Sequence, residues 1–155
     1  HDETHQMVYN TAPPYDVIQT SALSAGEIES MKRFARFWDL VVNSGNFIES
    51  SPLLWSRSTS AFEGFSAFSG WLYDTLGRTH HIQLHALMVQ LYTYLVDVVG
   101  CPPPEVALAI AQDLHRTRGR KTPRILKPHL PRGWRPEPAP EVTGGLVRQS
   151  RHAAR

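Results

Sequence analysis

Three stretches of this 155-residue chain repeat apolar residues at alternating steps of three and four, and each runs into a glycine: Gly45, Gly77 and Gly100. Such spacing writes one apolar face along an α-helix, and a glycine just past the last apolar residue supplies the left-handed stop. Amphipathic helices joined in series must bury their stripes against one another, so the pattern restricts the chain to a small helical bundle. The first helix opens at "SAGE", where Ser24 and Glu27 have the spacing of a reciprocal capping box. Its predicted inward stripe is Ile28, Met31, Phe34, Ala35, Trp38, Val41 and Val42. The second begins near Ser58 or Ser60, with Phe62, Phe65, Phe68, Leu72 and Leu76 as its stripe. Gly64 and Gly70 interrupt it, each weakening the helix by about 1 kcal/mol relative to alanine while allowing a backbone or ring to come close.

A third helix is expected over Gln83 to Val99, with Leu84, Leu87, Met88, Leu91, Leu95 and Val98 inward. A weaker fourth follows Pro102-Pro103-Pro104, where proline is tolerated in a first turn, and carries Val106, Ala109, Ile110 and Leu114. Ahead of the helices Pro13-Pro14 forbids helix locally, so residues 1–22 read as extended. From Leu126 the composition shifts to Pro, Arg and Gly, the signature of a disordered tail. The fold class is therefore mainly α: three to four helices over 23–125, an extended segment over 1–22, and a basic Pro/Arg-rich tail over 126–155. The opening at His1 reads as the tail of something larger.

Charge divides the chain. Residues 1–114 hold 5 Lys/Arg against 12 Asp/Glu, whereas residues 115–155 hold 11 against 2. An acidic body thus carries a basic arm, in which Arg118, Arg120, Lys121, Arg124, Arg148 and Arg151 are candidate polyanion contacts. No nucleic-acid-reading module accompanies them. No apolar run reaches the roughly 18–20 residues that span a bilayer, and no membrane contact is expected. The single cysteine, Cys101, cannot close an internal disulfide, which fits a reducing cytoplasm.

Catalytic signatures are sparse. His81 and His85 are four apart and would share a helical face only if the third helix began before them; with no HExxH or CxxC nearby, exposed histidines at a helix start are the expectation, not metal ligands. Cys101 has no adjacent histidine, no serine lies in G-x-S-x-G, and Asp39, Asp74, Asp97 and Asp113 read as solvated helix positions. "TGGL" is a spacer and not a phosphate loop. The aromatic residues Phe34, Trp38, Phe62, Phe65, Phe68 and Trp71 read as core or as a surface hidden by a neighbour.

The segments "VYNTAPPYDVIQT", "LSAGEIESMKRFARFWDLVVNSGNF", "LGRTH", "GRKTPRIL" and "RQSRH", in that order, resemble the C-terminal domain of uncharacterised function attached to cobalamin-binding radical SAM proteins. The resemblance covers nearly the whole chain, with residues 1–10 similar to the end of the preceding barrel. It implies a parent enzyme with a cobalamin domain and a radical SAM barrel, using an iron–sulfur cluster, S-adenosylmethionine and cobalamin, with methyl transfer as the implied reaction. Neither a CxxxCxxC loop nor a D-x-H-x-x-G motif occurs here, so the resemblance implies a non-catalytic accessory module with no cofactor or catalytic residue of its own. Its implied partner is the barrel of the same parent chain, and its implied role is to cover or shape the active site. Arg33, Arg36, Trp38, Asn43 and Ser44 are the candidate barrel-facing or substrate-facing residues. The alternative is a binding module whose basic arm engages RNA or another polyanion.

Overall fold

The computed structural model describes residues 8–9, 17–19, 23–116 and 121–135. Within them the chain is mainly helical, as the stripes require. Two short strands, β1 (Val8–Tyr9) and β2 (Val17–Gln19), pair antiparallel in the segment expected to be extended, with Val8 opposite Gln19. Four α-helices follow among the described residues: α1 (Ala25–Trp38), α2 (Ala61–Leu76), α3 (Leu84–Thr93) and α4 (Pro103–Arg116).

The local signals operate as chemistry predicts. Ser24 Oγ accepts from the Glu27 amide at 3.2 Å and the Glu27 carboxylate accepts from the Ser24 amide at 2.7 Å, closing the capping box. Ser60 caps α2 through the Glu63 amide at 3.0 Å. Gly77 and Gly100 adopt left-handed φ values of 67° and 83° where their helices stop. The α1 and α3 helices each end in a wider π-helical turn, Asp39–Asn43 and Tyr94–Val99. The second of these shifts the face: Leu95 is fully buried, but Val98, expected inward, is 54% exposed while Val99 packs against the core. More residues per turn than 3.6 carry the stripe past Val98.

The core runs through all four helices, with Phe37, Val41, Phe65, Phe68, Leu72, Leu91, Leu95, Val106 and Ile110 fully enclosed. The inward face of α1 is rotated from the predicted one. Its centre is Phe37 and Val41, whereas Met31 is 58% exposed and Ala35 is open to solvent. One edge of the predicted stripe is therefore left uncovered. On α2 the same holds for Phe62, which is 68% exposed.

The connector 46–60 is a packed element. A 3₁₀ turn, Ser51–Trp55, lies across α2 at Gly64, where an added Cβ would stand 2.7 Å from both the Leu54 carbonyl oxygen and Trp55 Cα. Gly64 therefore serves the close approach expected of it, whereas Gly70 faces open space. Asp113 of α4 is only 1% exposed and holds the near end of the connector. Its carboxylate accepts from the Glu49 amide (2.8 Å), the Ser50 amide (2.9 Å) and the Ser50 hydroxyl (2.6 Å), and pairs with Arg116. Asp113 was expected to be solvated; the backbone donors of a segment 63 residues away are what bury it. Arg57 secures the far end, donating to the carbonyls of Val99 (3.2 Å) and Gly100 (2.9 Å) at the C-terminus of α3.

The packed body also extends past 126. Leu126 is 1% exposed within the core, and His129 lies over Tyr92 with ring centroids 6.0 Å apart.

Candidate functional site

The uncovered edge of α1 and the N-terminal half of α2 form the most distinctive surface. Phe34 is the pivot. Its ring lies 5.7 Å from Trp38 in a stacked arrangement, 5.2 Å from Phe62 and 5.1 Å edge-on from Phe65. Trp38 continues the row by stacking on Trp55 at 6.0 Å. Beside this row runs an open groove of about 420 Å³ lined by Phe34, Ala35, Trp38, Asp39 and Phe62. Across the Phe34–Phe62 pair lies a smaller polar pocket of about 160 Å³, where Ser30, Arg33, Ser66, Ser69 and Gly70 complete the wall. The two share the ring pair as their divide.

Arg33 and Trp38 thus stand in adjoining hollows. The Arg33 guanidinium lies over the Tyr73 ring, 4.3 Å from its centroid, and donates to Ser30 Oγ at 3.2 Å. Arg36 is placed elsewhere, donating from Nε to the Thr79 carbonyl at 3.3 Å and fastening α1 to the α2–α3 loop. Asn43 donates to Asp39 Oδ1 at 2.6 Å, and Ser44 Oγ accepts from the Asn46 amide at 3.2 Å. Both make local turn contacts, and Asn43 reaches the groove only by steadying Asp39.

Sequence reading did not single out Ser30, Ser66 and Ser69 or the openness of Phe62. The signal was present: Ser66, Ser69 and Gly70 occur at the three-and-four spacing of one α2 face, so the small residues fall beside the Phe stripe and leave a hollow there.

Of the basic candidates, Lys121 and Arg124 are exposed; Arg118, Arg120, Arg148 and Arg151 lie outside the described residues. His81 and His85 are exposed, and since α3 begins at Leu84, His81 precedes the helix and the two do not share a helical face. Among the described residues no three His, Cys, Asp or Glu side chains stand close enough to hold a metal ion. Cys101, the one thiol, is buried with its amide bonded to the Leu95 carbonyl at 2.9 Å. A lone enclosed thiol does not fit as the ligand set of an iron–sulfur cluster. No helix of the described residues is long and apolar enough to cross a membrane.

Burial pushes the Asp113 carboxyl above its ordinary value, opposed by the Glu49 and Ser50 donors and by Arg116. Enclosed by its own donors, it is a structural clamp.

A helical module with an aromatic groove beside a guanidinium-bearing pocket is the class that the fold and surface define. The chain belongs to the family described as a protein of unknown function (DUF4080), whose model matches residues 3–129. That span takes in every described element except the residues after 129. No curated protein matches the chain, and no solved structure does.

Proposed function

We propose that this chain is a non-catalytic accessory domain of a cobalamin-dependent radical SAM enzyme and that it docks on the barrel of the parent chain through the Phe34–Trp38–Phe62 groove. The parent's iron–sulfur cluster, S-adenosylmethionine and cobalamin are held outside this module, which covers or shapes the opening of the active site. The observation that carries the reading is the uncovered aromatic edge. Phe62 is 68% exposed and Met31 58% exposed beside a half-buried Phe34 and Trp38, a cost in apolar hydration that a partner surface removes. The resemblance of the motif order to the C-terminal domains of such enzymes supports the barrel as that partner.

The test is a photo-crosslinking amino acid placed at Phe62 in the parent polypeptide, reconstituted anaerobically. Crosslinks should map to the barrel, and Trp38→Ala should lower turnover with iron and cobalamin content unchanged. Crosslinks confined to other molecules, or turnover indifferent to both Trp38→Ala and removal of residues 24–155, would sink the proposal. A salt-sensitive affinity of the same protein for RNA, together with unchanged turnover, would favour the polyanion reading.

A further inference from the structure

The polar pocket across the Phe34–Phe62 divide is built differently from the groove, and its chemistry points to a particular ligand group. We propose that it is a carboxylate receptor, taking an Asp or Glu side chain of the docking segment whose neighbouring apolar residue fills the Trp38 groove. The inference rests on the docking reading and specifies what the barrel segment must carry.

Ser69 is the first observation. It is 4% exposed and lines the pocket, yet its hydroxyl has no hydrogen-bond partner among the described residues. The helical threonines Thr75 and Thr93 instead return their hydroxyls to the carbonyls four residues back, at 2.8 and 2.9 Å. A hydroxyl on a nearly buried residue, with no protein partner and open to the hollow, leaves a donor and acceptor site that a ligand can fill.

Arg33 is the second. Its guanidinium carbon lies 4.3 Å from the Tyr73 ring centroid and one N–H goes to Ser30, while no carboxylate pairs with it among the described residues. A guanidinium so held keeps a free edge of donors in the plane suited to a carboxylate. The wall is open at Gly70, where nothing lies within 4 Å of the position a Cβ would take.

Charge selects the group. A space of about 160 Å³ has room for a carboxylate with its one or two methylenes. Among the described residues Arg33 is the only cation lining it, and neighbouring Lys32 is engaged with Glu29 at 3.6 Å. A monoanion is therefore neutralised here, whereas a dianionic phosphate would be left half-compensated. The adjoining groove offers ring faces to an apolar neighbour on the same strand of chain.

The test is a titration of the ¹⁵N-labelled chain with the dipeptides N-acetyl-Glu-Phe-amide and N-acetyl-Gln-Phe-amide, in both residue orders, and with acetate alone. The acidic dipeptide should move the amides of Ser66, Ser69 and Gly70 and the Arg33 Nε–H, binding about tenfold more tightly than its neutral counterpart. Arg33→Gln should abolish that preference, and Ser69→Ala, a milder change, should reduce it. Equal binding of the two dipeptides, shifts centred on Lys121 and Arg124, or acetate matching the acidic dipeptide would overturn the proposal. The Phe62 crosslink separates the two readings: its survival beside equal dipeptide binding removes the carboxylate receptor alone, and its loss beside a retained acidic preference removes barrel docking, and with it the barrel segment as occupant, while the pocket's preference for a carboxylate stands.

Discussion

Gly64 and Gly70 lie six residues apart on the same helix, and the same substitution should move stability in opposite directions at the two. Replacing either by alanine recovers about 1 kcal/mol of helix propensity. At Gly70 that gain is unopposed, because nothing stands within 4 Å of the new methyl. At Gly64 the methyl would lie 2.7 Å from the Leu54 oxygen, 2.7 Å from Trp55 Cα and 2.8 Å from Trp55 Cβ. Backbone atoms of a packed turn cannot yield as a flexible side-chain tip does, so the clash belongs near the upper end of the overpacking range, about 2–3 kcal/mol. The net expectation is a loss of about 1–2 kcal/mol for Gly64→Ala and a gain of about 1 kcal/mol for Gly70→Ala. Because the propensity contribution is common to both, their difference isolates the steric contact. Urea unfolding followed by far-ultraviolet circular dichroism measures it, with Tm shifts of about 2–8 °C downward and about 2–4 °C upward as the thermal counterpart. Gly64→Ala should also alter tryptophan fluorescence, since Trp55 must move and it stacks on Trp38. Two variants of equal stability would refute the close approach and the placement of the connector with it.

The rotated face of α1 gives a second pair: Phe37→Ala should cost about 3–5 kcal/mol, and Met31→Ala, on the exposed side, within about 0.5 kcal/mol of zero, both by urea unfolding. Asp113→Asn turns one acceptor oxygen into a donor facing donors and should cost about 3 kcal/mol near neutral pH. Since burial raises the Asp113 carboxyl in the fold, the folded chain holds that proton more tightly than the unfolded chain. Ionising this carboxyl therefore costs the fold more than the unfolded chain, so the pH-dependent part of stability is greatest below the ordinary value of 3.8 and falls as pH rises through the raised folded value. A urea midpoint that, relative to Asp113→Asn, instead climbed across that window would contradict the assignment.

Helix number, caps and stops were legible because they are local: a serine three residues before a glutamate and a glycine after an apolar stripe act through neighbouring backbone. Which part of a stripe is covered is not local. Phe37 and Met31 both sit on α1, and packing against segments distant in sequence decides that one is enclosed and the other open. Asp113 shows the same limit more sharply, since its partners at 49 and 50 lie in a connector with no helical pattern to announce it. Arg33 and Trp38 are candidates because they lie in the stretch that carries the family resemblance. That they occupy two adjoining hollows divided by Phe34 and Phe62 depends on α1 and α2 packing, which spacing alone does not encode. The slip of Val98 to the surface follows from a π-helical turn, for which a 3.6-residue count has no place.

The groove's wall is set from the opposite side of the molecule. Asp113 on α4 holds the amides at 49 and 50, and the 3₁₀ turn that follows carries Trp55. Trp55 is pressed against α2 by the missing side chain at Gly64 and stacks on Trp38, the groove's inner edge. Arg57 closes the far end of the same connector on the last carbonyls of α3. Each contact restrains a different backbone segment, so the aromatic row is held before any partner arrives, and little ordering entropy remains to be lost on docking. Weakening the Asp113 clamp should therefore reduce docking through Trp38 without touching a residue of the docking surface. A loss of barrel crosslinking in Asp113→Asn under conditions where the chain remains folded would show that connection directly, and crosslinking at the wild-type level would mean that the groove adapts to its partner instead of awaiting it.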